Sequence, residues 1–249
     1  MKTKCGIGLI LTAYAALSCS PMPIYRLRPV AEETRWLQGQ ELVFAEHNGV
    51  EAEVAFVRYA GRDLIFEIWI RNNSIRAFDV VPQKFYHSPL DAPQANNGAR
   101  GAFNKFAVDS ESSLLRIDQE LARKDAGRTT AIVLDLTGAV IKVIADLATI
   151  TKKKSEEEIA QEEREQQDAA EARCRRELLH ETELARLRQE RAYWETQALR
   201  KTTLAPRQAL EGLVHFPMVE GRHAPYIKLV LPLGETELAF VFAQQKLKP

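Results

Sequence analysis

Three residue types in this chain are spaced in ways that could do chemistry: cysteine, histidine and clustered carboxylates. Cysteine occurs at Cys5, Cys19 and Cys174. Cys19 follows a short apolar run and the stretch Ala16-Leu17-Ser18, the setting in which a leader is cut. With Cys5 in that leader and Cys174 in a densely charged stretch, no intramolecular disulfide is expected, and Cys174 reads as an incidental thiol. His180-Glu181 opens like the His-Glu-x-x-His motif, in which two histidines one helical turn apart grip zinc. Position 184 is Leu184, so the second ligand is missing. His47, His87, His215 and His223 show no ligand spacing, and His215 is expected on the exposed side of a strand. The carboxylates between Glu156 and Glu165 stand beside basic residues at helical intervals, which i,i+4 pairing accounts for without catalysis. No Gly-x-Ser-x-Gly elbow, Asp-x-Asp-x-Asn-Gly loop or phosphate-cradling glycine loop follows the leader. The expectation is no catalytic residue, no metal site and no cofactor.

The leader itself is the strongest signal. Lys2 and Lys4 precede an apolar run from Ile7 to Leu17, and Ser18-Cys19-Ser20-Pro21 ends it. This is a positive n-region, a short h-region and a cleavage site, too short for the roughly twenty apolar residues of a membrane span. The cysteine at the cut resembles the lipobox of bacterial lipoproteins. That resemblance implies a signal over residues 1–19, lipid on Cys19, and a place in the cell envelope, at the outer membrane of a Gram-negative bacterium. Plain signal cleavage without lipid is the alternative.

These candidates must be positioned by the remaining chain. Lys plus Arg and Asp plus Glu number 34 each over 249 residues, so no global field favours nucleic acid. Residues 20–40 read as a tether. From 41 to 109 the period is two: Leu64, Phe66, Ile68 and Ile70 share a core face, Ile65, Glu67, Trp69 and Arg71 the other, expected half-exposed, and Ala60-Gly61-Arg62-Asp63 reads as a hairpin turn. From 110 to 200 the spacing turns helical, with acids in a first turn at Ser155-Glu156-Glu157-Glu158, and an antiparallel helical hairpin is predicted. Strands resume over 201–249. Neither strand-rich part alone can shield two faces, so the hairpin reads as an insertion into one β-domain, mainly β plus α.

Phe66-Glu67-Ile68-Trp69-Ile70-Arg71-Asn72-Asn73-Ser74 resembles the strand and Asn-Asn-Ser segment of immunoglobulin-like lipoprotein domains from bacteria. Thr203-Leu204-Ala205-Pro206, followed by Gly212-Leu213-Val214-His215-Phe216, is similar to their Thr-Leu-x-Pro edge, with Arg207 where glycine is usual. The resemblance implies an Ig-like antiparallel β-sandwich and says almost nothing of activity.

One imbalance points to interaction. Segment 131–150 offers Ile132, Val133, Leu136, Val140, Ile141, Val143, Ile144 and Leu147, while the start of the return helix offers little beyond Ile159 and alanines. Leaving such a face in water costs about 1.5–3 kcal/mol per large side chain. The sandwich, a second hairpin or envelope partner, or the lipid headgroup layer could cover it. The expected role is a non-enzymatic, lipid-anchored scaffold that binds a protein partner or itself through this face. The rival is an envelope carbohydrate-binding module or hydrolase accessory using Trp69, Tyr86 and Trp194. A platform of coplanar aromatics, or a cleft of convergent carboxylates, would favour that rival.

Overall fold

The computed structural model describes residues 24–94, 104–127, 155–218 and 224–247. Cys19 and the eight predicted contact residues of segment 131–150 lie outside them. Two compact units divide the chain: Met1–Ala107 with Thr203–Pro249, and Val108–Thr202. The sequence reading set the corresponding insertion at 110–200.

The first unit is built of antiparallel strands. One sheet has the order β1-β12-β11-β7-β8, formed by β1 (Ile24–Pro29), β12 (Thr236–Leu247), β11 (Tyr226–Leu233), β7 (Tyr86–Leu90) and β8 (Lys105–Phe106). The other has the order β10-β5-β4-β3-β2, formed by β10 (Ala209–Pro217), β5 (Asp63–Asn72), β4 (Val50–Ala60), β3 (Gln40–His47) and β2 (Thr34–Leu37). A short ribbon pairs β6 (Phe78–Val80) with β9 (Thr202–Leu204). Alternation drives the second sheet. Leu64, Phe66, Ile68 and Ile70 are all buried, and Gly61 takes a φ of 59° to turn β4 into β5. At Gly49, φ is 73° and a Cβ would come within 3.2 Å of the Ser74 nitrogen, so a side chain there would be strained.

Aromatic rings join the two sheets. Phe66 meets Phe242 of the other sheet at 5.1 Å and Phe216 of its own sheet at 5.8 Å between centroids, edge to face. His87 on β7 donates from Nε2 to the Pro217 carbonyl of β10 at 2.8 Å, across the same seam. Asn72 closes one end. Its amide donates to the Arg76 and Leu204 carbonyls, and its Oδ1 accepts from the backbone N–H and hydroxyl of Ser74. Arg207 holds a left-handed φ of 68° while its N–H donates to the Asn72 carbonyl, so the turn lacking glycine is fastened by a hydrogen bond.

Three expectations are corrected. Residues 24–40 are not a tether, since they hold β1 and β2. Leu27 is buried between two arginines, β1 pairs along β12, and Arg28 bonds Glu41 at 3.0 Å. Ile65 is buried rather than half-exposed, and so is His215 opposite it. A β-bulge between Phe56 and Arg58 shifts the register here and sets Ile65 against Arg58.

The described residues of the second unit form the helices α1 (residues 110–127) and α2 (Glu156–Thr196). Asp109 caps α1, accepting from the Glu111 N–H at 3.1 Å and the Ser112 hydroxyl at 2.7 Å. Leu114 and Ile117 of α1, Leu184 and Leu187 of α2, and Leu199 are buried, while Leu121, Tyr193 and Trp194 are half-buried. Ion pairs join Glu111 to Arg200, Arg116 to Glu190 and Asp118 to Arg191, at 2.8, 2.8 and 2.7 Å. Glu111 at the start of α1 meets Arg200 beyond the end of α2, whereas Arg116 and Asp118, a turn or two on, meet Glu190 and Arg191 before that end, so the paired segments run antiparallel. Among the described residues, no helix is long and apolar enough to cross a membrane.

Candidate functional site

The outward face of the sheet β10-β5-β4-β3-β2 carries a groove of about 610 Å³. Strand alternation puts its lining there, because the buried residues of β4 and β5 leave Glu51, Glu53, Ala55, Glu67, Trp69 and Arg71 on the other side. Register then groups them. Trp69 lies opposite Glu53 on β4 and Glu211 on β10, and its strand neighbours on that face are Glu67 and Arg71. Arg35, Leu37, Gln38, Gln40 and Leu42 complete the lining.

The four carboxylates differ in their ties. Arg35 pairs with Glu53, and Asn73 Nδ2 donates to Glu51 at 2.6 Å. The Arg71 guanidinium lies 4.8 Å from the Trp69 ring centroid, a cation–π contact. Glu67 and Glu211 are exposed and have no ion-pair partner among the described residues. In the strand register Glu67 and Arg71 both lie diagonal to Glu211.

A carboxylate-lined groove is one of the features that would favour the hydrolase or sugar-binding rival. The particulars weigh against that use. None of the four carboxylates is buried, whereas a carboxyl general acid works from an apolar pocket. Trp69 and Tyr86 stand on different sheets, and each of the three proposed aromatics has its own neighbour. Trp69 carries Arg71, Tyr86 of β7 leans on Phe106 at 5.7 Å, and Trp194 of α2 stands edge-on to Tyr193.

A second depression of about 610 Å³ in the same unit is lined by Ser74, Ile75, Arg76, Asp79, Lys84 and Glu235, among others. Ile75 at its rim is 91 % exposed on the loop pinned by Asn72.

Among the described residues no three His, Cys, Asp or Glu side chains are grouped to bind a metal ion. His180 is half-buried on α2 beside buried Leu184. His87 is 1 % exposed with no partner at Nδ1, and burial pushes its pKa below the usual histidine value. Burial also lowers the pKa of His215, opposed by Asp63 at 3.8 Å. Burial, with Glu237 nearby, raises the Tyr86 phenol.

Sequence reasoning placed Glu67, Trp69 and Arg71 on one face and missed the groove. Glu51 and Glu211 join that face only through the strand order, although the alternation Glu51, Glu53 was there to be read. Compared with known proteins, the chain matches no family model, no curated protein and no solved structure.

Proposed function

We propose that this chain is a non-enzymatic, lipid-anchored cell-envelope protein whose role is to hold a partner, with the helical insertion as its contact element. The observation that carries this reading is α2. From Glu156 to Leu179 its described side chains are almost all exposed, with Ile159, Leu178 and Leu179 among them, yet the helix is unbroken. A helix polar all round spans solvent or is held by its own i,i+4 pairs, and 41 residues give it a reach of about 60 Å, a long exposed surface on offer to a partner. The antiparallel ion pairs between α1 and α2 support a helical hairpin. The contact face is the one predicted from Ile132, Val133, Leu136, Val140, Ile141, Val143, Ile144 and Leu147, and the partner is a second copy or another envelope protein.

The immunoglobulin likeness is one of architecture. Constant-type domains order their sheets A-B-E-D and C-F-G, whereas four consecutive strands, β2 to β5, share one sheet here. Cys19, with Lys2, Lys4 and the apolar run before it, supports the lipid anchor at the outer membrane of a Gram-negative bacterium.

The test is membrane fractionation of the wild type and of a form with a soluble, cleavable secretion signal in place of residues 1–19. A photo-crosslinker stands at Ile141 in both. Release of the second form into the soluble fraction, with a discrete crosslinked protein in both forms, is the expected result. Retention of the lipid-free form on membranes without any protein crosslink would overturn the reading in favour of a lipid-bound helix.

A further inference from the structure

We infer that the groove on the outer face of the sheet β10-β5-β4-β3-β2 docks an extended basic segment of a partner protein. A cationic side chain would lie between Glu67 and Glu211 beside Trp69, and an aliphatic one over Leu37 and Leu42. This surface belongs to the β unit, so the inference goes beyond the scaffold role proposed for the helical insertion and stands or falls without it.

Charge decides the class of occupant. The lining holds four carboxylates, Glu51, Glu53, Glu67 and Glu211, against two guanidinium groups, Arg35 and Arg71, leaving two negative charges in excess. The excess sits at one end. Arg35 pairs with Glu53, Arg71 stands opposite Glu51 (which also accepts from Asn73), and Glu67 and Glu211 are without an ion-pair partner among the described residues. Trp69 lies opposite Glu211 and next to Glu67 on its own strand, and its ring already accepts one guanidinium from Arg71. An aromatic ring with two carboxylates at its border is a receiver for a second ammonium or guanidinium group.

Shape decides that the occupant is a chain segment rather than a small cation. The lining crosses all five strands, from Leu37 on β2 to Glu211 on β10. Four strand spacings of about 4.8 Å make roughly 19 Å, the span of about six extended residues. Leu37 and Leu42 supply the apolar end, Leu37 being largely exposed. The complementary segment is therefore amphipathic along its length: aliphatic at the β2 end, basic at the β10 end.

The test is calorimetric titration of the full chain in detergent with three probes. They are a hexapeptide with one leucine and two arginines, the same peptide with glutamates for the arginines, and a β-linked glucose hexasaccharide. The basic peptide should bind, weaken as salt rises and shortens the Debye length, and lose about tenfold in affinity in the double variant Glu67→Gln, Glu211→Gln. Both residues are exposed, so the variant keeps the fold, which thermal unfolding checks. Leu37→Ser should weaken the same peptide independently. The acidic peptide should not bind. Indifference of the basic peptide to the double variant would overturn the inference. So would binding of the hexasaccharide that is lost in Trp69→Ala, which would return the groove to the sugar-binding reading.

Discussion

The β unit and the helical unit keep their shapes by opposite means. In the β unit whole rings are withdrawn from water, as where Phe66 meets Phe56, Phe216 and Phe242 at once. Each such burial contributes about 1.5–3 kcal/mol. In the helical unit the buried aliphatics are Leu114, Ile117, Leu184, Leu187, Ala198 and Leu199, among the described residues. Farther toward Glu156, α2 relies on local bonding within its own turns, such as Gln161 donating to Glu165 at 3.2 Å. Such exposed pairs contribute only a few tenths of a kcal/mol each. One region is defended by an interior and the other by its sequence turn by turn, so damage should be read differently in each.

The hardest blow to that contrast is Phe66→Ala. Loss of a ring with three aromatic neighbours should cost about 3–5 kcal/mol, seen as a lower urea midpoint in the near-ultraviolet circular dichroism of the sheets. Leu187→Ala should come next, at about 2–5 kcal/mol, and should lower the helical signal at 222 nm while the near-ultraviolet signal of the β unit holds. If both signals fell together in that variant, the two units would be one cooperative block and the contrast would fail.

Acid should find the β unit before the helices. The His87 and His215 pKa values are both lowered, mainly by burial, so the unfolded chain takes up protons first as pH falls. Stability is therefore intact above the ordinary histidine value of 6.5 and declines as pH drops below it. Urea midpoints measured stepwise from pH 8 to about pH 5 would show this, and His87→Gln should flatten the acid limb. The smallest effect belongs to the helical unit's surface. Glu111 is held below the usual carboxylate range by its hydrogen bond from Arg200, but both side chains are largely exposed. Arg200→Gln should cost no more than about 1 kcal/mol, fading in high salt, by the same denaturation.

Much of this was legible locally and some of it was not. The core face Leu64, Phe66, Ile68, Ile70 and the turn at Gly61 follow from alternation and a glycine, both short-range signals. Residues 24–40 were misread because what makes Ile24–Pro29 a strand is β12, at the far end of the chain. No window of sequence contains that pairing. Ile65 and His215 keep the side that alternation gives them, since Leu64, Phe66, Val214 and Phe216 fill the core face, yet both are buried there, which residue type alone does not announce. The groove was half legible: Glu67, Trp69 and Arg71 share a face by period, but Glu211 reaches Trp69 only because β10 lies beside β5.

That same strand order governs time as well as space. β1 lies against β12, and the Asn72 amide reaches the Leu204 carbonyl 132 residues on. Closing loops of that length costs entropy before any contact repays it. A chain emerging from its N-terminus must hold β1 without a neighbour until Thr236 and the residues after it exist. The turns of α1 and α2 need only residues already made, and helices form far faster than such closures. The middle of the chain can thus set first, while the edge of the sheet waits for its two ends to meet last.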